Sequence, residues 1–141
     1  MNVLADIYVS SDDEAVNYDA TPDRFANRAQ YKGITPFEIS MLWAIMRDIE
    51  WNVALMDEFR CLLLQDGGER LIHCLPTAMV NDLSELTLER ITAVSLKWAT
   101  TEELGWPIDE ARAFVVDIES LARKATESGR GVYLWNCIDD A

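Results

Sequence analysis

The chain has 141 residues, 50% of them apolar, and its 25 acidic and 12 basic side chains give a formal net charge of −13. This length is typical of a domain that buries a sizeable core without disulfide or metal staples, so we expect one compact domain over residues 1–141. Nucleic acids and anionic membranes bind basic protein surfaces, so the composition disfavours both as partners. Solubility explains the acidity most simply, and a positively charged protein partner is the more specific alternative.

Cellular location and thiol state follow from what the sequence lacks. No apolar run approaches the length of a membrane span, and the first residues carry neither the basic nor the apolar region of a signal peptide. We therefore expect a cytoplasmic protein. The three cysteines, Cys61, Cys74 and Cys137, are an odd number, and in that compartment they predict free, buried thiols.

The first predicted strand covers residues 3–9. Its side chains alternate with the period of a strand that has one apolar face, formed by Val3, Ala5, Ile7 and Val9. Residues 10–31 then carry acids and scattered aromatic side chains without a sustained period. Within them the pattern indicates only a short helix, with Thr21 as its cap and Pro22 in its first position.

A helix is predicted to begin at Pro36, because Thr35 can act as its N-cap and Glu38 can complete a capping box. Two apolar stripes run along it, one with Ile39, Leu42, Trp43, Met46 and Ile49 and the other with Phe37, Met41, Ala44 and Ile45. A helix that is apolar nearly all round has to be buried on both sides. Either the domain covers both stripes, or the second stripe lies at the surface as a contact for another chain.

Two apolar runs, residues 59–65 and 70–75, flank a short glycine-containing turn and predict a β-hairpin. With Gly67 and Gly68 as the turn, the predicted cross-strand pairs are Leu63 with Ile72, Leu62 with His73, and Cys61 with Cys74. His73 would then face away from both thiols, which argues against a shared metal. Both faces of the hairpin would be largely apolar, so the sheet is either covered on both sides or offers a contact surface.

Three further helices and a last strand complete the pattern. One helix is predicted over residues 77–83, and a second follows Thr87 with one face made of Leu88, Ile91, Val94 and Trp98. The third begins at Pro107 and ends at Gly129, and its spacing buries Phe114, Ile118 and Leu121 and exposes Asp117, Glu119 and Lys124. A strand follows over residues 132–138. The expected fold is α+β, with a small, mainly antiparallel sheet of about four strands, including the 59–75 hairpin, packed with three to four helices.

The sequence offers little for catalysis. His73 is the single histidine, and no serine or cysteine signature of a hydrolase accompanies it. The glycines match neither a phosphate-binding loop nor a dinucleotide fingerprint, so we expect no cofactor and no metal. Asp12, Asp13 and Glu14 form an alternative site, because adjacent carboxylates can hold a divalent cation or share a proton. A solvated loop explains the same residues more simply.

A second candidate site lies where Trp98 and Trp106 flank Glu102 and Glu103. Indole rings supply contact area and carboxylates attract opposite charge, so the stretch suits a basic partner. Packing of both rings in the core is the simpler interpretation. The exposure of the two rings distinguishes these interpretations.

The composition and the missing motifs favour a small acidic protein that binds another protein, as inhibitors, immunity proteins and adaptors do. Its predicted partner-binding residues are Phe37, Met41, Ile45, Trp98, Glu102, Glu103 and Trp106. One alternative is a small enzyme, or a ligand or metal binder, that uses carboxylates of residues 10–31. Another is a self-associating domain that uses the second stripe of the Pro36 helix.

Overall fold

The structure, a computed structural model, describes the backbone of residues 2–139 and the side chains of residues 3–138. One antiparallel sheet contains β1 (Asn2–Ser10), β2 (Arg28–Lys32), β3 (Arg60–Gln65), β4 (Arg70–Cys74) and β5 (Gly131–Asp139). Their order across the sheet is β2-β1-β5-β4-β3. The last strand therefore lies between the first strand and the hairpin, and it joins parts of the chain that are distant in sequence.

The helices are α1 (Asp12–Ala15), α2 (Pro36–Arg47), α3 (Val53–Asp57), α4 (Thr77–Ser84), α5 (Leu88–Ala99) and α6 (Ile108–Ser128). The four longer ones cover one face of the sheet. Of these, α4 and α6 contact the strands, α5 packs on α6, and α2 packs on α5. The predicted α+β class is confirmed, with one strand more than expected. No helix within residues 2–139 combines the length and apolarity needed to cross a bilayer.

Local capping signals set the helix ends as predicted. The Thr35 hydroxyl accepts from the Phe37 amide at 3.2 Å, and the Glu38 carboxylate accepts from the Thr35 amide at 2.7 Å, which is the capping box. The Thr87 hydroxyl caps α5 by accepting from the Arg90 amide at 3.2 Å. Gly129 ends α6 with a φ of 68°, in the left-handed region that glycine occupies without strain.

The apolar face of α6 forms much of the core, and the predicted burial of Phe114, Ile118 and Leu121 is confirmed. The prediction that Glu119 is exposed is wrong. Its carboxylate is buried because it accepts two hydrogen bonds from Nε and one from Nη2 of Arg123, one turn later on α6. A buried carboxylate needs such a partner, and an i,i+4 arginine supplies it locally.

The hairpin register is correct near the turn and wrong beyond it. Leu63 lies opposite Ile72 as predicted, but a bulge between Cys61 and Leu63 shifts the rest of the strand by one residue. Cys61 therefore faces His73, and the predicted Cys61–Cys74 pair does not form. All three thiols are free, as predicted. Only Cys74 of the three is buried, however, since Cys61 is exposed on β3 and Cys137 is half-buried.

Three local elements differ from the predictions. The strand β2 and the short helix α3 were not predicted. The short helix α1 lies in residues 10–31, where only a helix capped by Thr21 was expected. The Thr21 hydroxyl donates to the Asn17 carbonyl instead of capping the 3-10 turn Pro22–Arg24. Leu88, expected on the apolar face of α5, is 74% exposed at the first position of that helix.

Candidate functional site

The face of the sheet opposite the helical layer, here called the second face, is lined by aromatic side chains. Tyr8, Tyr133 and Trp135 project from β1 and β5. Residues 11–27, here called the cover segment, lie over part of this face. Tyr18 of the cover segment stacks on Tyr8 with ring centroids 4.1 Å apart and lies 5.9 Å from the ring of Trp135. The second face is therefore a separate, smaller core.

Carboxylates hold the cover segment on the sheet. Asp12 accepts a hydrogen bond from the Tyr133 hydroxyl and pairs with Arg60 at 3.1 Å. Asp19 accepts from the Trp135 indole N–H at 3.0 Å and from an arginine of β4 at 3.2 Å. The predicted acidic site at Asp12, Asp13 and Glu14 is thus divided. Asp12 is used to hold the chain, whereas Asp13 and Glu14 are exposed side chains of α1.

The protonation states match this clamping role. Burial, and next the hydrogen bond to Asp12, raises the pKa of Tyr133 above its ordinary value, so the phenol remains a donor. The hydrogen bond from Tyr133, and next the one from Arg60, lowers the pKa of Asp12. Asp12 therefore remains an ionised acceptor. A general acid needs a raised carboxyl pKa, so its environment does not favour that role.

A cavity of about 460 Å³ opens on the second face beside the cover segment. Leu4, Tyr18 and Trp135 form part of its wall, and Asp6 of β1 lies at its base. The Asp6 side chain is buried, and its Oδ2 accepts from the Tyr18 hydroxyl at 2.7 Å and from Gln30 Nε2 at 3.3 Å. The arrangement can bind a ligand that combines an apolar body with a hydrogen-bond donor.

The predicted tryptophan pair has a mainly structural position. Trp98 is completely buried, so it offers no surface to a partner, and Trp106 is half-buried against it at 5.9 Å. The Trp98 indole N–H donates to the Glu38 carbonyl at 3.2 Å, which ties the start of α2 to the end of α5. Glu102 and Glu103 are exposed in the loop that follows α5.

The second stripe of α2 is partly covered. Phe37, Met41 and Ile45 are all half-buried, which lies between the two predicted outcomes. Trp51, in the loop after the helix, accounts for part of this, because its ring meets Phe37 edge-on at 5.2 Å and its indole N–H donates to Ser40 Oγ at 2.9 Å. The stripe is therefore closed in part by the chain itself.

The two edges of the sheet differ in chemistry. β2 carries Arg28, Gln30 and Lys32, whereas β3 carries three consecutive leucines. Leu64 of β3 is 64% exposed, beside the exposed thiol of Cys61. Apart from the turn that follows it, β3 packs extensively against β4 alone among the described elements. The outward backbone groups of β3 are therefore open to a further strand.

The ring of His73, on β4, is half-buried. Burial lowers its pKa, so its ring is neutral at pH 7, and its buried Nδ1 has no hydrogen-bond partner in the described part of the chain. No group of three potential metal ligands converges among residues 3–138.

No protein-family model, curated protein or solved structure matches the chain. The function therefore has to be argued from its own surfaces.

The sequence predictions missed the cavity and the open edge of β3 as sites. An acid at position 6 within an apolar strand was a usable signal, because a carboxylate in a sheet interior needs partners. Those partners, Tyr18 and Gln30, come from the stretch that has no clear period. The position of β3 at the edge depends on β5 pairing with β4, which no local pattern indicates.

Proposed function

We propose that the protein works by binding another protein, which adds an extended, positively charged segment to the open edge of β3. The observation that carries the proposal is the apolar, uncovered state of this edge. In strand addition, main-chain hydrogen bonds give affinity and alternate side chains give specificity. Natural sheet edges are protected by charged residues, above all lysine, or by bulges. β2 carries two bases, whereas β3 has Arg60 at its first position and a bulge next to Cys61 but no charged residue over 61–65.

The charges around β3 support a basic partner. Asp57, Glu58 and Glu69 flank the strand, are exposed, and form no ion pair with a described base. Arg60 and Arg70, at the ends of the same hairpin, are neutralised by carboxylates of the cover segment. A segment with lysine or arginine beside apolar residues would therefore be attracted to this edge and steered by it.

The same charges argue against the alternatives. A second copy of the chain would bring another net charge of −13 to the interface, so self-association has less support than a basic partner. An enzyme that uses the carboxylates of residues 10–31 also has less support, because Asp12 and Asp19 hold the cover segment in place. A cytoplasmic inhibitor, immunity protein or adaptor fits the proposed mode of binding.

Two peptides and two variants test the proposal. A short peptide of alternating lysine and valine should slow alkylation of the exposed Cys61 thiol and protect from hydrogen exchange those amides of residues 63–65 that point away from β4. The regular part of the edge lies there, beyond the bulge. Leu64→Lys should weaken binding by about tenfold or more, because it places a positive charge against a basic segment.

Leu88→Lys is the matched control, since Leu88 is exposed on α5 and receives the same change of side chain. It should bind the lysine–valine peptide as the wild type does. A glutamate–valine peptide of equal length should bind far more weakly. Equal binding of both peptides, or protection centred on the loop with Glu102 and Glu103, would contradict the proposal.

A further inference from the structure

The cavity on the second face lies at the other end of the sheet from β3 and requires a separate explanation. Its base is Asp6, which faces Gln30 on β2 and Trp135 on β5 in the strand register. The residue is only 6% exposed. A buried carboxylate is costly unless its oxygens are hydrogen-bonded or paired with a cation.

Among the described side chains, Asp6 Oδ2 has donors and Oδ1 has none. Oδ2 accepts from Tyr18 and Gln30, both neutral side chains. No residue of the described chain donates to Oδ1, and no described base forms an ion pair with Asp6. Among residues 3–138, the polar side-chain atoms that are fully buried and lack a hydrogen-bond partner are His73 Nδ1 and Asn136 Oδ1. Asp6 Oδ1 is not one of them, so it is not fully buried. It therefore remains accessible from the cavity.

One of the two donors to Oδ2, Tyr18, is held in place, whereas Gln30 is exposed on β2. Burial, and next the hydrogen bond to Asp6, raises the pKa of Tyr18, so its hydroxyl stays protonated and continues to donate. Stacking on Tyr8 fixes the ring. The free oxygen of Asp6 is thus presented in a fixed direction by groups that belong to the fold, which is the arrangement of a pre-organised binding site.

Aromatic walls complete the site. The ring of Trp135 lies 5.9 Å from that of Tyr18 at an angle of 49°, and its indole N–H is fixed by Asp19. Aromatic faces attract cations, and Leu4 and Pro22 add apolar wall. The volume of about 460 Å³ lies in the range of small-molecule sites. Lys32 at the rim adds a positive charge, which disfavours ligands with several positive charges.

We infer that this cavity binds a small organic monoamine, with its ammonium group on Asp6 Oδ1 and its apolar or aromatic body against the rings of Tyr18 and Trp135. The ammonium would form the direct ion pair that no described base forms with Asp6, since Arg28 reaches the Tyr18 hydroxyl at 3.4 Å and not the carboxylate itself. The site does not depend on strand addition at β3.

The test is an NMR titration of the isotope-labelled protein with phenethylamine, compared with 2-phenylethanol, a neutral molecule of similar shape. The amine should cause saturable shifts of the Trp135 indole N–H and of the Asp6 and Gln30 amides. The alcohol should bind at least about tenfold more weakly, because a hydrogen bond to a charged group is lost.

Asp6→Asn should reduce the amine affinity by about 10-fold to 100-fold and remove the preference for the amine over the alcohol. Asp13→Asn is the matched control, because Asp13 is exposed, does not line the cavity and undergoes the same change of charge. It should bind phenethylamine as the wild type does. An equal loss in both variants would mean that the general acidity of the surface attracts the amine, and the inference would be wrong.

Circular dichroism would reveal whether Asp6→Asn folds. If it does not, the affinities of the wild type for phenethylamine and 2-phenylethanol still test the inference. Equal affinities, shifts spread over the surface acids, or no saturable binding of the amine would each overturn the inference. Localised shifts with a clear amine preference would support it.

Discussion

The two faces of the sheet are closed by different physical means. On the helical side, Ile7 and Leu134 of the central strands belong to one continuous apolar core with Phe114 of α6. On the second face, aromatic rings are covered by a segment with little regular structure, which Asp12 and Asp19 attach to the sheet through hydrogen bonds. Apolar packing is insensitive to protonation, whereas hydrogen bonds between carboxylates and phenols depend on it. The faces should therefore respond differently to substitution and to pH.

The largest effect is expected on the helical side. Phe114→Ala should lower the free energy of unfolding by about 3 to 5 kcal/mol, because it removes a fully buried ring from a packed core. Urea denaturation at neutral pH measures the change. Val116→Ala, on the exposed side of the same helix, should change the stability by less than about 0.5 kcal/mol. A loss below about 1 kcal/mol for Phe114→Ala would mean that this face is not the main core.

Alkaline pH should destabilise the second face most, because it contains three of the four tyrosines whose pKa burial raises; the fourth, Tyr31, packs against Phe114 on the helical side. Burial raises the pKa of Tyr8, Tyr18 and Tyr133, so the folded protein keeps protons that the unfolded chain loses above about pH 10. Below that value the thiol of Cys74, whose pKa burial also raises, should already lower the stability, and above it stability should fall by a further amount of about 1.4 kcal/mol per pH unit for each such tyrosine. Urea denaturation from about pH 9 to about pH 11 measures the slope.

Tyr18→Phe serves as the control for the alkaline prediction, because it removes one titrating group and keeps the ring. Above about pH 10, the free energy of unfolding of this variant should fall less steeply than that of the wild type, by about 1.4 kcal/mol per pH unit. An unchanged slope in this variant would show that Tyr18 titrates alike in the folded and unfolded chains.

A smaller effect is expected when one clamp is removed. Tyr133→Phe deletes the hydroxyl that donates to Asp12 and should cost about 1 kcal/mol at neutral pH. The lowered pKa of Asp12 stabilises the folded state above the ordinary carboxyl value, and this contribution is lost as the pH falls through the lowered pKa. The difference between wild type and variant should therefore shrink as the pH falls below the ordinary carboxyl range. A difference independent of pH would contradict the clamp.

The smallest effect is expected for Asp23→Asn. Asp23 pairs with Arg28 at 3.0 Å, but its side chain is 95% exposed, and exposed ion pairs contribute little. The free energy of unfolding should change by less than about 0.5 kcal/mol. A loss as large as that of Tyr133→Phe would show that surface ion pairs, and not the hydrogen bonds from Tyr133 and Trp135, hold the cover segment.

Local chemistry determined the parts of the fold that were predicted correctly. The capping residues Thr35, Thr87 and Gly129 act on backbone groups within a few positions of themselves, so they mark helix ends whatever the rest of the chain does. The spacing of apolar residues in α6 likewise specifies one buried face. The hairpin register near Gly67 and Gly68 was correct for the same reason, because a tight turn determines the pairing of its neighbours.

Only the tertiary structure decided the rest, because the deciding contacts join residues far apart in the chain. The bulge next to Cys61 shifts the register away from the turn, and β2 is a strand because β1 offers it a partner. The Asp6 cavity requires side chains from β1, β2, β5 and the cover segment at once. Apolar periodicity reports which residues become buried, but a polar group such as Asp6 is explained only by the partners that the fold brings to it.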